Sequence, residues 1–404
     1  MPKSPHITSA KEAGPYSSHV RSLDGLRGMA VLGVMASHLF AGTTEGPLMQ
    51  ALGATLTFGA TGVDLFFVLS GFLITGILFD SLSDSGFFRK FYARRTLRIF
   101  PLYYGVLLTL MLLTPWLGIQ WHKMNWVLLF YLQNTDIAGP FYSFHLGSGL
   151  SLDHFWSLAV EEQFYLVWPL VVFFIRGRRR LLWTCLALSS AALLLRFSLA
   201  FHHTVYHTIN RSTLCRADSL LMGAALALLL RGRLHDAVLR SAKGVFLLVV
   251  AAVAALNLAR PIIERRPDWL FAFDASYLSI RYTLMAFGSA ALIAWCLRPT
   301  SVPRRIFENS TLRFFGKYSY GLYVLHVVAL GFLLKTFRGW IALVTSSKLA
   351  AVAGSGLLAF LVAIAAAYAS YNLYEKQFLH LKRYFDYDRT ATARTTKSLI
   401  TSGR

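Results

Sequence analysis

Ten apolar runs, with a basic cluster after every second one, constrain this chain more than any other feature. Crossing a hydrocarbon core of about 30 Å takes about 20 helical residues. Runs of that order lie near 22–42, 53–79, 99–118, 155–175, 181–201, 213–230, 244–259, 277–297, 313–334 and 349–374. Arg89, Lys90, Arg94, Arg95 and Arg98 follow the second run, and Arg176, Arg178, Arg179 and Arg180 follow the fourth. Arg231, Arg233, Arg240 and Lys243 follow the sixth, and Arg298, Arg304 and Arg305 the eighth. Lys376, Lys382, Arg383, Arg389, Arg394 and Lys397 come after the tenth. The opposite loops are poorer in cations: 119–154 holds only Lys123 and 202–212 only Arg211. The loop 260–276 is the exception, with Arg260, Arg265 and Arg266 partly balanced by Glu264, Asp268 and Asp274. Lys- and Arg-rich loops stay on the cytoplasmic side. The alternation therefore predicts an all-α, polytopic transmembrane helical bundle of about ten spans with both termini cytoplasmic, in the cell membrane.

Composition removes the competing classes. Of the 404 residues, 55% are apolar and 15% charged, and mean hydropathy is +0.51. A soluble domain carries about 25% charged residues. The net charge of +21 would suit nucleic acid, but the cations form short clusters between apolar runs rather than one face or stripe. That pattern suits anionic lipid head groups, so the bilayer is the expected partner and nucleic acid is not. Cys185, Cys215 and Cys296 show neither metal-ligand spacing nor a disulfide framework, so no metal is expected. Residues 1–20 are polar, and the first apolar run follows an Asp and an Arg without a small-residue cleavage site. The first helix is therefore expected to stay. The expected division is a cytoplasmic tail over 1–20, one transmembrane domain over 21–380 and a basic cytoplasmic tail over 381–404. No internal repeat or heptad seam is visible. Trp126–Gln133 is apolar but too short to span, so 119–154 reads as a long external loop with a short interfacial helix, anchored by Trp116, Trp121 and Trp126.

Ionisable groups inside a bilayer are costly and face a partner or a wet cavity. Arg27 and His38 lie eleven positions apart, which returns to within about 20° on one helix face after about 16 Å of rise. Asp24 stands three residues before Arg27, placed to neutralise it in part. Glu161 and Glu162 sit in the fourth run after His154, at a predicted depth of about 10–12 Å, where at least one needs a basic partner or a cavity. Arg95 and Arg98 share a helix face at i,i+3 spacing, a fork suited to phosphate. Arg216 and Asp218, at the outer end of the sixth run, are expected as a structural pair joining helices. His326 reads on its own as a hydrogen-bonded core histidine.

Together these segments resemble the acyltransferase 3 family of bacterial membrane acyltransferases, over about residues 21–380. The basic residue followed after ten residues by His is matched by Arg27 and His38 within Leu23-Asp-Gly-Leu-Arg-Gly28 and beyond. Gly62-Val-Asp-Leu-Phe-Phe-Val-Leu-Ser-Gly-Phe-Leu-Ile74, which contains Asp64, resembles a second signature. Arg95–Arg98 matches the RxxR pattern, Trp156-Ser-Leu-Ala-Val-Glu-Glu-Gln-Phe-Tyr165 the WSLxVE signature, and Arg216, Asp218 and Gly223 an RxDxLLxG element. The resemblance implies transfer of an acyl group, acetyl by the family's pattern, from cytoplasmic acyl-CoA to a hydroxyl on or beyond the membrane. It implies an essential His38, with Arg95 and Arg98 holding anionic parts of the donor. Some members carry a soluble esterase-like domain after the bundle. The sequence ends soon after Tyr384, so that domain is expected to be absent and a two-domain route to need a separate soluble protein.

The expected chemistry follows. A free alcohol is a poor nucleophile near neutral pH, and a neutral imidazole is suited to take its proton. Arg95 and Arg98, with Arg27, are expected to grip CoA phosphates while His38 deprotonates the hydroxyl of a carbohydrate or glycolipid acceptor. Glu161 is expected to orient or charge-balance an imidazole, either His38 or His154. A covalent acyl-imidazole on His38 is the second route. No permanently bound cofactor is expected; acyl-CoA enters as a substrate. The competing class is a transporter or flippase, whose pathway also needs buried ionisable groups.

Overall fold

The computed structural model describes residues 20–39, 59–138, 144–147, 150–202, 206–344 and 348–387. The expected tail 1–20 lies almost wholly outside the described residues, as does 381–404 beyond its first seven residues. The long helices are α1 (Arg21–Leu39), α2 (Gly62–Asp80), α3 (Phe87–Leu112), α4 (Trp156–Ile175), α5 (Arg178–Phe201) and α6 (Thr213–Leu229). They continue with α7 (His235–Ile263), α8 (Pro267–Leu297), the short α9 (Ser310–Lys317), α10 (Ser319–Val344) and α11 (Lys348–Ser370). Among the described residues the only β pairing is an isolated bridge between His145 and Ser151. A bilayer leaves backbone groups no water to bond, so a helix, which satisfies them internally, is the form these runs take.

Among the described residues seven helices are long and apolar enough to cross a membrane, so the ten expected are confirmed only in part. They are α2, α4, α5, α6, α7, α8 and the helix that α11 begins. The shortfall has a physical cause. Helix α1 carries Arg21, Asp24, Arg27 and His38, and the first half of α3 carries five cations, leaving too little uninterrupted apolar length. In α10 the apolar stretch described is Ser319–Leu333. The expected run 313–334 is also broken: α9 ends at Lys317, and α10 starts afresh at Ser319.

Close helix contacts are made through glycine. A Cβ on Gly28 would lie 1.9 Å from the Leu312 carbonyl oxygen, and one on Gly316 would lie 1.8 Å from that of Asp24. Helix α1 is therefore pressed backbone to backbone onto α9. Gly71 and Gly223 do the same for α2 and α6, with 1.8 Å to the Leu220 oxygen and 2.0 Å to the Val68 oxygen. Small residues permit this approach, which is how helices associate where lipid supplies no hydrophobic drive. Around α2 and α6 one core joins Phe67, Ile74, Phe91, Trp168 and Leu220, and another joins Leu26, Val68, Leu226 and Ile293. Helix α7 buries only Ala242 and Val249 and stands at the rim against α8.

The described parts of 119–154 fold back on the bundle rather than extending from it. The short helix is a 3-10 turn over Lys123–Phe130, displaced slightly from Trp126–Gln133. Tyr103 and Tyr104 donate from α3 to the Leu128 and Leu129 carbonyls, each at 2.8 Å, and the Gln133 amide donates to the Phe155 carbonyl at 2.9 Å. Trp116 and Trp126 remain exposed.

Candidate active site

Helices α1, α2, α3, α4 and α10, closed by residues 382–387, surround a cavity of about 480 Å³. Six cations line it: Arg27, Arg94, Arg95, Arg98, Lys317 and Lys382. Only three carboxylates do so: Asp24, Glu161 and Glu162. The space is thus net positive and suited to a polyanion. Arg27 is paired with Asp24 at 3.1 Å, one turn away on α1. Arg94 is also engaged: it pairs with Asp386 and donates to the Lys382 and Phe385 carbonyls at 3.3 and 3.4 Å. Its guanidinium also stands over the Tyr387 ring, and burial pushes that phenol up to about 12 against the pull of Arg94 and Arg95.

Arg95 and Arg98 differ from these. Arg95 lies over the Tyr165 ring at 5.1 Å and Arg98 over Tyr320 at 6.0 Å. Neither makes an ion pair among the described residues. The i,i+3 spacing puts both on the cavity side, and the aromatic faces hold the planar groups without consuming their forked donors.

Glu161 meets a hydroxyl rather than an imidazole. Ser70 on α2 donates to its Oε1 at 2.6 Å, and the Tyr165 hydroxyl donates to Ser70 at 3.0 Å. Among the described residues Glu161 makes no hydrogen bond to His38 or His154, the imidazoles expected from sequence: His154 lies seven positions earlier, about 10 Å back along the same helical segment, and is gathered with His38 there. Glu162 also faces the cavity, and its Oε1 has no hydrogen-bond partner among the described residues. Such a buried carboxylate oxygen is costly to leave unmatched.

The cavity ends short of His38. Its wall there includes Ser157 and Tyr323, whose hydroxyls lie 2.5 Å apart, and Tyr323 donates to the His154 carbonyl at 2.9 Å. Behind this wall three imidazoles from different helices meet. His38 Nδ1 lies 2.9 Å from His326 Nε2, with the rings stacked at 5.1 Å, and His154 presents an edge to His326 at 5.2 Å. The His154 Nε2 donates to the Val324 carbonyl at 3.3 Å, and its buried Nδ1 has no hydrogen-bond partner among the described residues. Among the described residues no group of three such side chains is arranged to hold a metal ion. His326, read alone as a core histidine, is thus part of a cluster with two other candidates.

The expected Arg216–Asp218 pair does not form. Residues two apart on a helix point about 200° apart. Arg216 instead pairs with Asp64 on α2 at 2.5 Å and packs on the Tyr282 ring at 3.9 Å. Asp218 pairs at 2.6 Å with Arg196 on α5, which also donates to the Ser279 carbonyl and Thr283 of α8. These networks fasten α2, α5, α6 and α8 outside the cavity. Arg196 was missed by the sequence reading, although a lone Arg in an apolar run is itself a signal. Also missed were Ser70, Ser157, Lys317, Tyr323 and the buried Glu375, which accepts from Ser370 at 3.1 Å in a π-helical turn over Tyr371–Glu375.

Comparison with known proteins adds to this geometry. The peptidoglycan O-acetyltransferase OatA of Listeria monocytogenes serovar 1/2a is 31% identical over 341 residues, covering 78% of this chain and 50% of that protein. A putative O-acetyltransferase of Staphylococcus aureus strain COL is 30% identical over 335 residues, covering 78% and 51%. The O-acetyltransferase OatA of S. aureus strain NCTC 8325 is 28% identical over 329 residues, covering 76% and 50%. The chain thus spans about half the length of the curated relatives it matches. No solved structure matches it significantly. The family profile described as an acyltransferase domain matches residues 20–371, so the chain belongs to the acyltransferase 3 domain family.

Proposed function

We propose that this chain is a membrane O-acyltransferase that moves an acyl group, acetyl by its relatives' names, from cytoplasmic acyl-CoA to a hydroxyl of a cell-envelope glycan. The observation that carries the reading is the pairing of a net-positive cavity, in which Arg95 and Arg98 make no ion pair among the described residues, with an imidazole cluster behind one wall of it. In this reading the nucleotide phosphates lie against Arg95 and Arg98, assisted by Arg27, Lys317 and Lys382. The cavity mouth faces the cytoplasm, as the basic loops predict. The pantetheine arm points at Ser157 and Tyr323, whose contact opens to let the thioester reach His38. His38 takes the proton of the acceptor hydroxyl, the oxygen attacks the thioester carbonyl, and the carbon–sulfur bond breaks. The thiolate leaves and recovers the proton from the imidazolium, so an ester and free CoA are formed.

The test uses membrane vesicles of the native host lacking its own copy of the gene, which contain the natural acceptor. With the protein restored and acetyl-CoA labelled in the acetyl group, label is expected on the glycan or glycolipid fraction. His38→Ala is expected to accumulate normally and transfer nothing. Label that never leaves CoA, or full transfer by the folded His38→Ala protein, overturns the reading. Movement of unmodified glycan without labelling would favour a transporter.

A further inference from the structure

The imidazole cluster has a direction that follows from hydrogen-bond chemistry alone. A carbonyl oxygen can only accept, so a ring nitrogen facing one at hydrogen-bond distance carries the proton. His326 Nδ1 lies 2.8 Å from the Tyr323 carbonyl oxygen and 3.1 Å from that of Leu322, in the preceding turn of α10. With a lone pair there, two oxygens would face it in repulsion. His326 Nδ1 is therefore the N–H, and in the neutral ring Nε2 bears the lone pair. That lone pair faces His38 Nδ1 at 2.9 Å, so His38 is the donor across the contact. The remaining nitrogen of His38, Nε2, is then left unprotonated.

From this geometry we infer that His326 is a positioning residue: it holds His38 in the one neutral tautomer whose Nε2 is free to accept a proton. This rests on the proposed acyl transfer and assigns a role to a second histidine within it. His326 is fully buried and its two nitrogens are both spent on neighbours, whereas His38 is half-buried. Only His38 is placed to meet a substrate. The near-parallel stack, 21° between planes, limits rotation of the His38 ring about the contact. When His38 becomes imidazolium its Nδ1–H remains donated to the same lone pair, so no proton has to move along the chain for the cation to be held. The arrangement does what a carboxylate does behind a catalytic histidine, with a neutral acceptor that avoids placing a charge deep in the bundle.

The test compares wild type with His326→Leu, His326→Gln and His326→Asn in the same vesicles, reading kcat and the KM for acetyl-CoA separately. Leucine fills space but offers no acceptor. Glutamine carries an amide oxygen to the place of Nε2, whereas asparagine reaches only the place of Nδ1. General-base catalysis contributes about 10²–10⁴ in rate. His326→Leu is accordingly expected to lower kcat by about 100-fold or more with KM within a factor of two. Glutamine is expected to restore at least a tenth of wild-type kcat and asparagine to restore little. If the leucine protein fails to accumulate, the glutamine–asparagine difference carries the decision. A leucine variant with kcat within threefold of wild type, or glutamine and asparagine equally impaired, overturns the assignment. Wild-type vesicles that transfer no acetyl group would refute the proposed function instead.

Discussion

Replacing Arg95 and Arg98 together by alanine should raise the acetyl-CoA requirement far more than replacing Arg94, although all three line the same cavity. The difference lies in what each guanidinium already holds. Arg94 is committed to Asp386 and to two carbonyls of the C-terminal segment, so little of its donor capacity remains for a ligand. Arg95 and Arg98 pack on aromatic faces and make no ion pair among the described residues, which leaves their forks open. A hydrogen bond to a charged group is worth about 1.5–3 kcal/mol, so losing one such contact from each arginine costs roughly 3–6 kcal/mol. At about 1.4 kcal/mol per decade, that is a rise of roughly 10²–10⁴-fold in the concentration needed. Arg94→Ala is expected to shift it by about tenfold or less. The assay is an acetyl-CoA titration of label transfer in vesicles, paired with the thermal shift that unlabelled CoA gives the detergent-solubilised protein. The double variant should lose the shift and Arg94→Ala keep it. An unchanged titration in the double variant, or equal effects at all three positions, would refute the reasoning.

Two further outcomes follow from packing. Gly28→Ala drives a methyl group against the Leu312 carbonyl and should lower stability by about 1–3 kcal/mol or more, whereas Gly244→Ala, with nothing within 4 Å, should be neutral or slightly stabilising; melting in detergent by tryptophan fluorescence separates them. Asp64→Asn strands the buried Arg216 and should cost about 3–5 kcal/mol, while Asp64→Leu combined with Arg216→Met should recover most of that loss, read by the same melting curves.

Sequence made the shared facing of residues on one helix legible, but not their partners. Arg27 and His38 share a face because α1 is one unbroken helix, and Arg95 and Arg98 reach one cavity for the same reason. Periodicity carries that information and nothing about how one helix is rotated against another. Hence Asp64 and Arg216, 152 positions apart, were not foreseen as a pair, and Asp218 was given the wrong partner. Glu161 faces the cavity as a buried carboxylate, but its neighbour, Ser70, comes from α2. Glu375 enters the interior through a π-helical turn, which shifts the face a residue presents and leaves a 3.6-residue count out of step. Ten spans are not confirmed among the described residues: at α1 and α3 the polar residues that line the site are the ones that shorten the apolar length, and in α10 the described apolar stretch is Ser319–Leu333.

The two hydroxyls of Ser157 and Tyr323 have a consequence for the living cell. Cations line the space on one side of them and imidazoles gather on the other. Under the proposed acyl transfer, a passage left permanently open between the two sides would let protons follow and drain the gradient that energises the host. On that proposal, a contact of one hydrogen bond is cheap to part for each turnover and quick to re-form, which would keep the exchange of an acyl group separate from the leakage of charge.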